Sequence, residues 1–114
     1  QTVSEILKSK KAHFLIILNN RIPDGQDVSW IWDVDFKPIL DVAGNVYVSG
    51  DRVYDINLRL RYENIKKKII TSENLSDAIE SIVNKTKEGE RLFILPTYSA
   101  MLEVRKILLG RKLL

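Results

Sequence analysis

The sequence contains no cysteine and only one histidine, and these two scarcities remove several classes of active site. Without thiols, a disulfide framework, a cysteine-based zinc site and a cysteine nucleophile within the chain are excluded. A chain without disulfides is compatible with a reducing compartment, so we expect a cytoplasmic protein. The single histidine, His13, opens an apolar stretch, and we predict a structural role for it rather than metal ligation or general-base catalysis.

Long hydrophobic runs and broad basic clusters are also missing. The longest apolar run, residues 13–18 after Ala12, falls far short of the roughly 20 residues needed to cross a bilayer, so we expect no membrane span. The net charge of +3 comes from scattered basic residues, with residues 66–68 as the only lysine run. Because a nucleic-acid footprint needs a larger basic stripe, we predict no nucleic-acid partner and a solvated lysine cluster.

The length of 114 residues is sufficient for one hydrophobic core and too short for two. We therefore predict a single domain over residues 1–114. Position 1 is glutamine rather than methionine, and nothing after it has the pattern of a signal peptide. On this basis we expect Gln1 to be an internal residue and the domain to be a fragment of a longer chain.

Apolar periodicity predicts strands that alternate with helices. The predicted strands cover residues 13–18, 46–49, 68–71 and 91–95, and the predicted helices cover residues 2–10, 51–62, 74–88 and 97 onward, with a cap at Asn74 and another at Thr97. This alternation predicts an α/β fold: a three-layer, Rossmann-like arrangement with a mainly parallel sheet and helices on both faces. In such a sheet, sites form at the carboxyl ends of the strands.

Residues 27–36, here called the tryptophan segment, contain both tryptophans and three aspartates. As a strand, the segment would place Trp30 and Trp32 on one face and Asp27, Asp33 and Asp35 on the other. A helical face that includes Ile31 and Trp32 fits equally well, whereas Pro38 opposes an unbroken helix. A short helix near residues 29–33 followed by a turn reconciles these patterns, and we expect the tryptophans to anchor this crossover in the core.

Three groups of polar residues are candidates for chemistry. The turn at residues 49–52 could hold an anion on free amides, and residues 97–99 offer three hydroxyls, but both patterns lack a complete motif and favour helix capping. The third group is Asp24, Asp27, Asp33 and Asp35. These aspartates could cap turns or face solvent, bind a hard cation, or orient a histidine that belongs to another chain.

Several motifs in this chain resemble one known family. They are Leu18-Asn19-Asn20, residues 24–33 with Asp-Val-Ser-Trp-Ile-Trp-Asp, Ser49-Gly50-Asp51-Arg52, residues 58–62 and Leu95-Pro96-Thr97-Tyr98. Together they are similar to the C-terminal domain of the MurT family, the Mur ligase-like subunits of lipid II isoglutaminyl synthase. The resemblance covers nearly the whole chain, although Asn20 stands where an aspartate is expected.

The resemblance implies a Mur ligase C-terminal fold and a role in peptidoglycan biosynthesis. Members of the family pair with GatD, a glutaminase that releases ammonia from glutamine. The MurT subunit uses ATP to activate the D-glutamate of the lipid II stem peptide, which ammonia then converts to D-isoglutamine. ATP and magnesium would serve the full-length protein through its central domain. We expect no cofactor or metal in this domain, and no activity from the domain alone.

In this family, an aspartate of the C-terminal domain is thought to complete the Cys–His pair of the glutaminase across the subunit interface. Among the matching positions, the resemblance implies Asp33 first and Asp27 second. Two alternatives stay open. The chain could belong to a peptide or folate-type ligase that works without a glutaminase, or it could be a non-enzymatic binding module with an acidic face.

Overall fold

A computed structural model describes residues 11–63 and 67–110 of the chain. The predicted helix over residues 2–10 lies outside these described residues. Within them, four strands form one sheet in the order β3-β2-β1-β4, and every neighbouring pair is parallel. The strands are β1 (Ala12–Ile17), β2 (Ala43–Ser49), β3 (Ile69–Thr71) and β4 (Arg91–Pro96).

The first strand lies at the centre of the sheet. All six residues of β1 are buried, as a strand covered on both faces requires. Leu15 lies opposite Tyr47 of β2 and Ile94 of β4, so β1 is paired along both edges. The near-continuous apolar sequence therefore predicted the position of this strand correctly.

Four α-helices and two short 3-10 helices surround the described part of the sheet. They are α1 (Lys37–Val42), α2 (Val53–Arg61), α3 (Leu75–Lys85), α4 (Tyr98–Gly110) and the 3-10 helices Ile22–Asp24 and Ser29–Asp33. One face packs against α1, α2 and the second 3-10 helix. The other face packs against α3 and α4. This arrangement confirms the predicted α/β fold with helices on both faces of a parallel sheet.

The helical predictions need four corrections. The turn predicted after residue 33 is followed by a helix, α1. Pro38 is compatible with α1 because it lies in the first turn of the helix, where a backbone N–H has no partner within the helix. The apolar pattern of residues 51–62 predicts a broad buried face that includes Tyr54 and Leu58, but both side chains are exposed, so the buried stripe of α2 is narrower. The apolar spacing of the last helix also predicts an inward Met101, but Met101 of α4 is exposed. Finally, α3 ends at Lys85, so Gly89 lies in the following turn with a positive φ of 86°.

His13 is buried at the amino end of the sheet. Its Nδ1 accepts the backbone N–H of Asn45 at 3.0 Å, which places the ring proton on Nε2, 2.9 Å from the Glu90 carboxylate. The hydrogen bond from His13, followed by that from the Lys87 amide, holds the pKa of Glu90 below its usual value. These contacts tie β1 to β2 and to the turn before β4, so His13 has the structural role that was predicted.

Candidate functional site

Asn19 organises the carboxyl edge of the sheet, directly after β1. Its backbone N–H donates to the Thr97 hydroxyl at 3.1 Å, and its side-chain amide donates to the Ser99 hydroxyl at 3.1 Å. Its carbonyl oxygen accepts the Asp51 N–H at 2.9 Å. Asn19 is buried, and these bonds join the ends of three strands. Thr97 therefore serves Asn19 rather than acting as the predicted side-chain cap of α4.

Asp24 caps the N-terminus of α4, although it lies 75 residues before Ser99 in the sequence. Its carboxylate accepts the Ser99 backbone N–H at 2.7 Å and the Ser99 hydroxyl at 2.5 Å. Burial alone would raise the pKa of Asp24, but the bonds from Ser99 and from the Arg21 amide lower it below the usual value. A carboxylate at a helix N-terminus is stabilised by the free amides and the helix dipole. Asp24 is thus engaged within the fold.

The turn after β2 is closed to an external anion by the chain itself. Gly50 has a φ of 105°, and a Cβ at this position would lie 2.5 Å from the Leu18 carbonyl oxygen. The Asp51 amide binds Asn19, and the Arg52 amide donates to the same Leu18 carbonyl at 2.9 Å. Because these amides already have acceptors, the interpretation of this turn as a structural cap is supported over anion binding.

The tryptophan segment forms the 3-10 helix Ser29–Asp33, as the short-helix interpretation predicted. The expectation that the tryptophans enter the core is wrong, because Trp30 and Trp32 are each 45% exposed. The core position is taken by Ile31, which is 1% exposed, together with Phe36. In a 3-10 helix the residues flanking a buried position turn away from it. The segment therefore buries an isoleucine and presents both indole rings to solvent.

The three aspartates of the segment have different surroundings. Asp27 accepts the Ser29 amide at 2.9 Å, and the hydrogen bonds from Ser29 lower the pKa of Asp27. Asp35 accepts the Lys37 amide at 3.1 Å, at the start of α1. Asp33 is exposed, and no other described residue donates a hydrogen bond or ion pair to its carboxylate. Both predicted site residues, Asp33 and Asp27, therefore lie on the surface.

The structure does not bring the four aspartates together. Asp24 points to α4, whereas the others cap local turns or face solvent. Among residues 11–63 and 67–110, no group of three or more histidine, aspartate or glutamate side chains is arranged to hold a metal ion. The hard-cation interpretation thus gains no support from these positions.

An apolar groove of about 510 Å³ lies beside the tryptophan segment. Its lining includes Trp30, Ile31, Leu95 of the outer strand β4 and Tyr98. Tyr98 is 57% exposed and Leu95 is 38% exposed, so the apolar surface continues from the indole ring onto β4 and the start of α4. This continuity makes the exposed side of the segment a surface suited to another protein.

Sequence reasoning missed the residue that holds the segment in place. Arg59 of α2 is buried and donates to the backbone carbonyls of Ile31 and Val34. The sequence shows a charged residue between Leu58 and Leu60, but an arginine exposed on the helix surface would give the same local sequence pattern. Only the contact between two distant segments distinguishes the two cases.

The fold and these motifs define a parallel α/β domain that presents a tryptophan- and aspartate-bearing helix at its surface. The family described as MurT ligase C-terminal matches residues 1–101, and the chain belongs to this family. The described residues include no helix that is both long and apolar enough to span a membrane.

Curated relatives support the same assignment. The chain is 37% identical over 100 residues to the lipid II isoglutaminyl synthase (glutamine-hydrolyzing) subunit MurT of Streptococcus pneumoniae, which covers 86% of this chain and 22% of that protein. It is 32% identical over 78 residues to the same subunit of Staphylococcus aureus, which covers 68% of this chain and 18% of that protein. The chain thus spans about a fifth of the length of these relatives.

Proposed function

We propose that the chain is the C-terminal domain of a MurT-like subunit, which works with a GatD-like glutaminase in the cytoplasm to amidate the D-glutamate of the lipid II stem peptide. The full-length subunit uses ATP and magnesium to activate the glutamate carboxylate, and ammonia released by the partner forms the amide. The observation that carries the proposal is the tryptophan segment. It lies within the residues that match the family, and its indole rings and its aspartates are exposed.

Nucleotide binding is assigned to the other domains of the full-length subunit. In the described part of the chain, three α-helices begin at the carboxyl edge of the sheet, and acceptors of the chain itself engage their N-terminal regions. The acceptors are Asn19 and Leu18 before α2, Asn74 before α3 and Asp24 before α4. Since a phosphate would need these amides free, the bonds support the assignment of nucleotide binding to the other domains.

The proposed contribution of the domain is a carboxylate that completes the Cys–His pair of the glutaminase. Such a group must be ionised and must reach the partner's imidazole, whose tautomer it fixes and whose positive charge it stabilises. Asp33 is the first candidate because its exposed carboxylate has no described competing donor. Asp27 is the second, because the Ser29 amide orients it and its lowered pKa keeps it charged.

The test uses the full-length subunit together with the glutaminase. Asp33→Asn and Asp27→Asn keep the side-chain shape but remove the charge, so one of them should lower the kcat of glutamine hydrolysis by about 100-fold or more. Asp41→Asn is the matched control, because Asp41 is exposed on α1 and forms its ion pair with Lys37 of the same helix. Both partners should co-purify in every case.

Two outcomes would contradict the proposal. Unchanged glutamine hydrolysis in both Asp33→Asn and Asp27→Asn would refute the catalytic assignment. A wild-type subunit that forms its product from free ammonia but never binds a glutaminase would instead identify a ligase that works alone.

A further inference from the structure

Arg59 carries a buried charge directly beneath the tryptophan segment. Its side chain is 8% exposed, and its Nη1 lies 2.7 Å from the Glu63 carboxylate, one turn further along the chain. Burying a guanidinium is unfavourable unless its donors are satisfied. Two of the remaining donors reach the tryptophan segment: Nε donates to the Ile31 carbonyl at 2.9 Å, and Nη2 donates to the Val34 carbonyl at 2.6 Å.

These two carbonyls lie on either side of Trp32 and Asp33. The Arg59 guanidinium therefore bridges the backbone on either side of Trp32 and Asp33, two of the exposed residues of the segment. It also lies 5.5 Å from the centre of the Trp32 ring and 5.3 Å from that of Phe36. Trp32 meets Tyr62 edge-on, with ring centres 5.0 Å apart. The N–H groups of the guanidinium bind the two carbonyls, its flat face lies over the rings, and its charge pairs with Glu63. A lysine ammonium has the charge but neither the planar face nor the forked donors.

We propose that Arg59 is a positioning residue for the catalytic carboxylate of the tryptophan segment. This inference rests on the proposed function, because it requires Asp33 or Asp27 to act on the partner. Arg59 does not touch the reacting atoms. It fixes the backbone that carries Asp33, and it acts less directly on Asp27, whose carboxylate accepts the Ser29 amide at the start of the same 3-10 helix.

The first experiment compares Arg59→Lys with wild type in the full-length complex. Loss of the two-point bridge should lower kcat for glutamine hydrolysis by about 10-fold and leave KM nearly unchanged, since a misplaced group costs rate rather than substrate affinity. Arg61→Lys is the matched control. Arg61 lies on the same helix, is exposed and donates to Asn57, so its substitution should change neither constant.

The second experiment separates positioning from general stabilisation. Arg59→Lys is combined with the aspartate variant, Asp33→Asn or Asp27→Asn, that loses activity by itself. If Arg59 acts through that carboxylate, adding Arg59→Lys to the inactive aspartate variant should cause no further loss of kcat. Losses that multiply would show that Arg59 acts independently of the carboxylate, which overturns the inference and leaves the proposed function intact.

Failure of the proposed function is recognised without any Arg59 variant. Unchanged hydrolysis in both single aspartate variants refutes that function and removes the positioning role with it.

Thermal melting checks that Arg59→Lys is folded. Should it not fold, Glu63→Ala replaces it in the same cycle, because this change frees the guanidinium from its ion pair. A smaller but non-additive loss is then expected, and a multiplicative loss overturns the inference.

Discussion

Asp24 and Asp33 lie nine positions apart in the chain, yet their surroundings are opposite. Asp24 accepts an amide and a hydroxyl from Ser99, which is 75 residues away in the sequence. Asp33 is exposed, and no described residue donates to it. The difference separates a carboxylate that maintains the fold from one that is available to a partner. Residue type alone does not reveal it.

The same contrast divides the regions around the two aspartates. Around Asp24, the backbone N–H of Asn19 donates to the Thr97 hydroxyl and its side-chain amide donates to the Ser99 hydroxyl, so these bonds join the carboxyl ends of the strands. Around Asp33, Arg59 binds the backbone from the buried side of the segment, and the solvent-facing side carries exposed aromatic rings. The polar groups around Asp24 are therefore engaged by one another, whereas the surface around Asp33 is held in place from inside and remains exposed to solvent.

The largest expected effect on stability concerns the buried side of the tryptophan segment. Ile31→Ala should lower the free energy of unfolding by about 3 kcal/mol, because it leaves a cavity at a position that is 1% exposed. Trp32→Ala should lower it by only about 1 kcal/mol, through lost contacts with Tyr62 and Arg59. Urea unfolding measures both. Equal losses would mean that the exposed indole is a core residue after all.

The next effect concerns the network beside Asp24. Asn19→Ala should lower the free energy of unfolding by about 2 kcal/mol, because it removes the hydrogen bond to the Ser99 hydroxyl and leaves the Asp51 amide without its acceptor. Its neighbour Asn20 forms no described side-chain hydrogen bond, so Asn20→Ala should change stability by less than about 0.5 kcal/mol. Urea unfolding of the pair tests whether Asn19 joins the strands, and similar values would count against it.

Local sequence patterns predicted the sheet and the short helix of the tryptophan segment, because alternation and turn residues report on neighbouring positions. They did not predict which side of that helix is buried, since Ile31 and Trp32 fit the same helical face. They also missed the bonds from Ser99 to Asp24 and from Arg59 to Ile31, which join residues 75 and 28 positions apart. Such contacts depend on the folded topology and leave no local periodicity.

Asp24 should also make stability depend on pH. Its pKa is lowered in the folded state, so its contribution is present above the unfolded pKa of about 3.9 and is lost as pH falls through the folded value. Asp24→Asn should cost about 1 kcal/mol at neutral pH, because it removes a charged helix cap. Below about pH 4 the difference from wild type should shrink. Urea unfolding at pH 7 and at pH 3 measures it, and a constant difference would refute the charge-based cap.

The smallest effect on stability is expected at Asp33. Asp33→Asn should stay within about 0.5 kcal/mol of wild type at neutral pH, because the carboxylate is exposed and has no described donor to lose. Urea unfolding beside Asp24→Asn provides the matched comparison, since the same atom is exchanged in a bonded and an unbonded carboxylate. A loss at Asp33 as large as that at Asp24 would show that the fold already uses this group. The Asp33 carboxylate would then not be available to a partner protein.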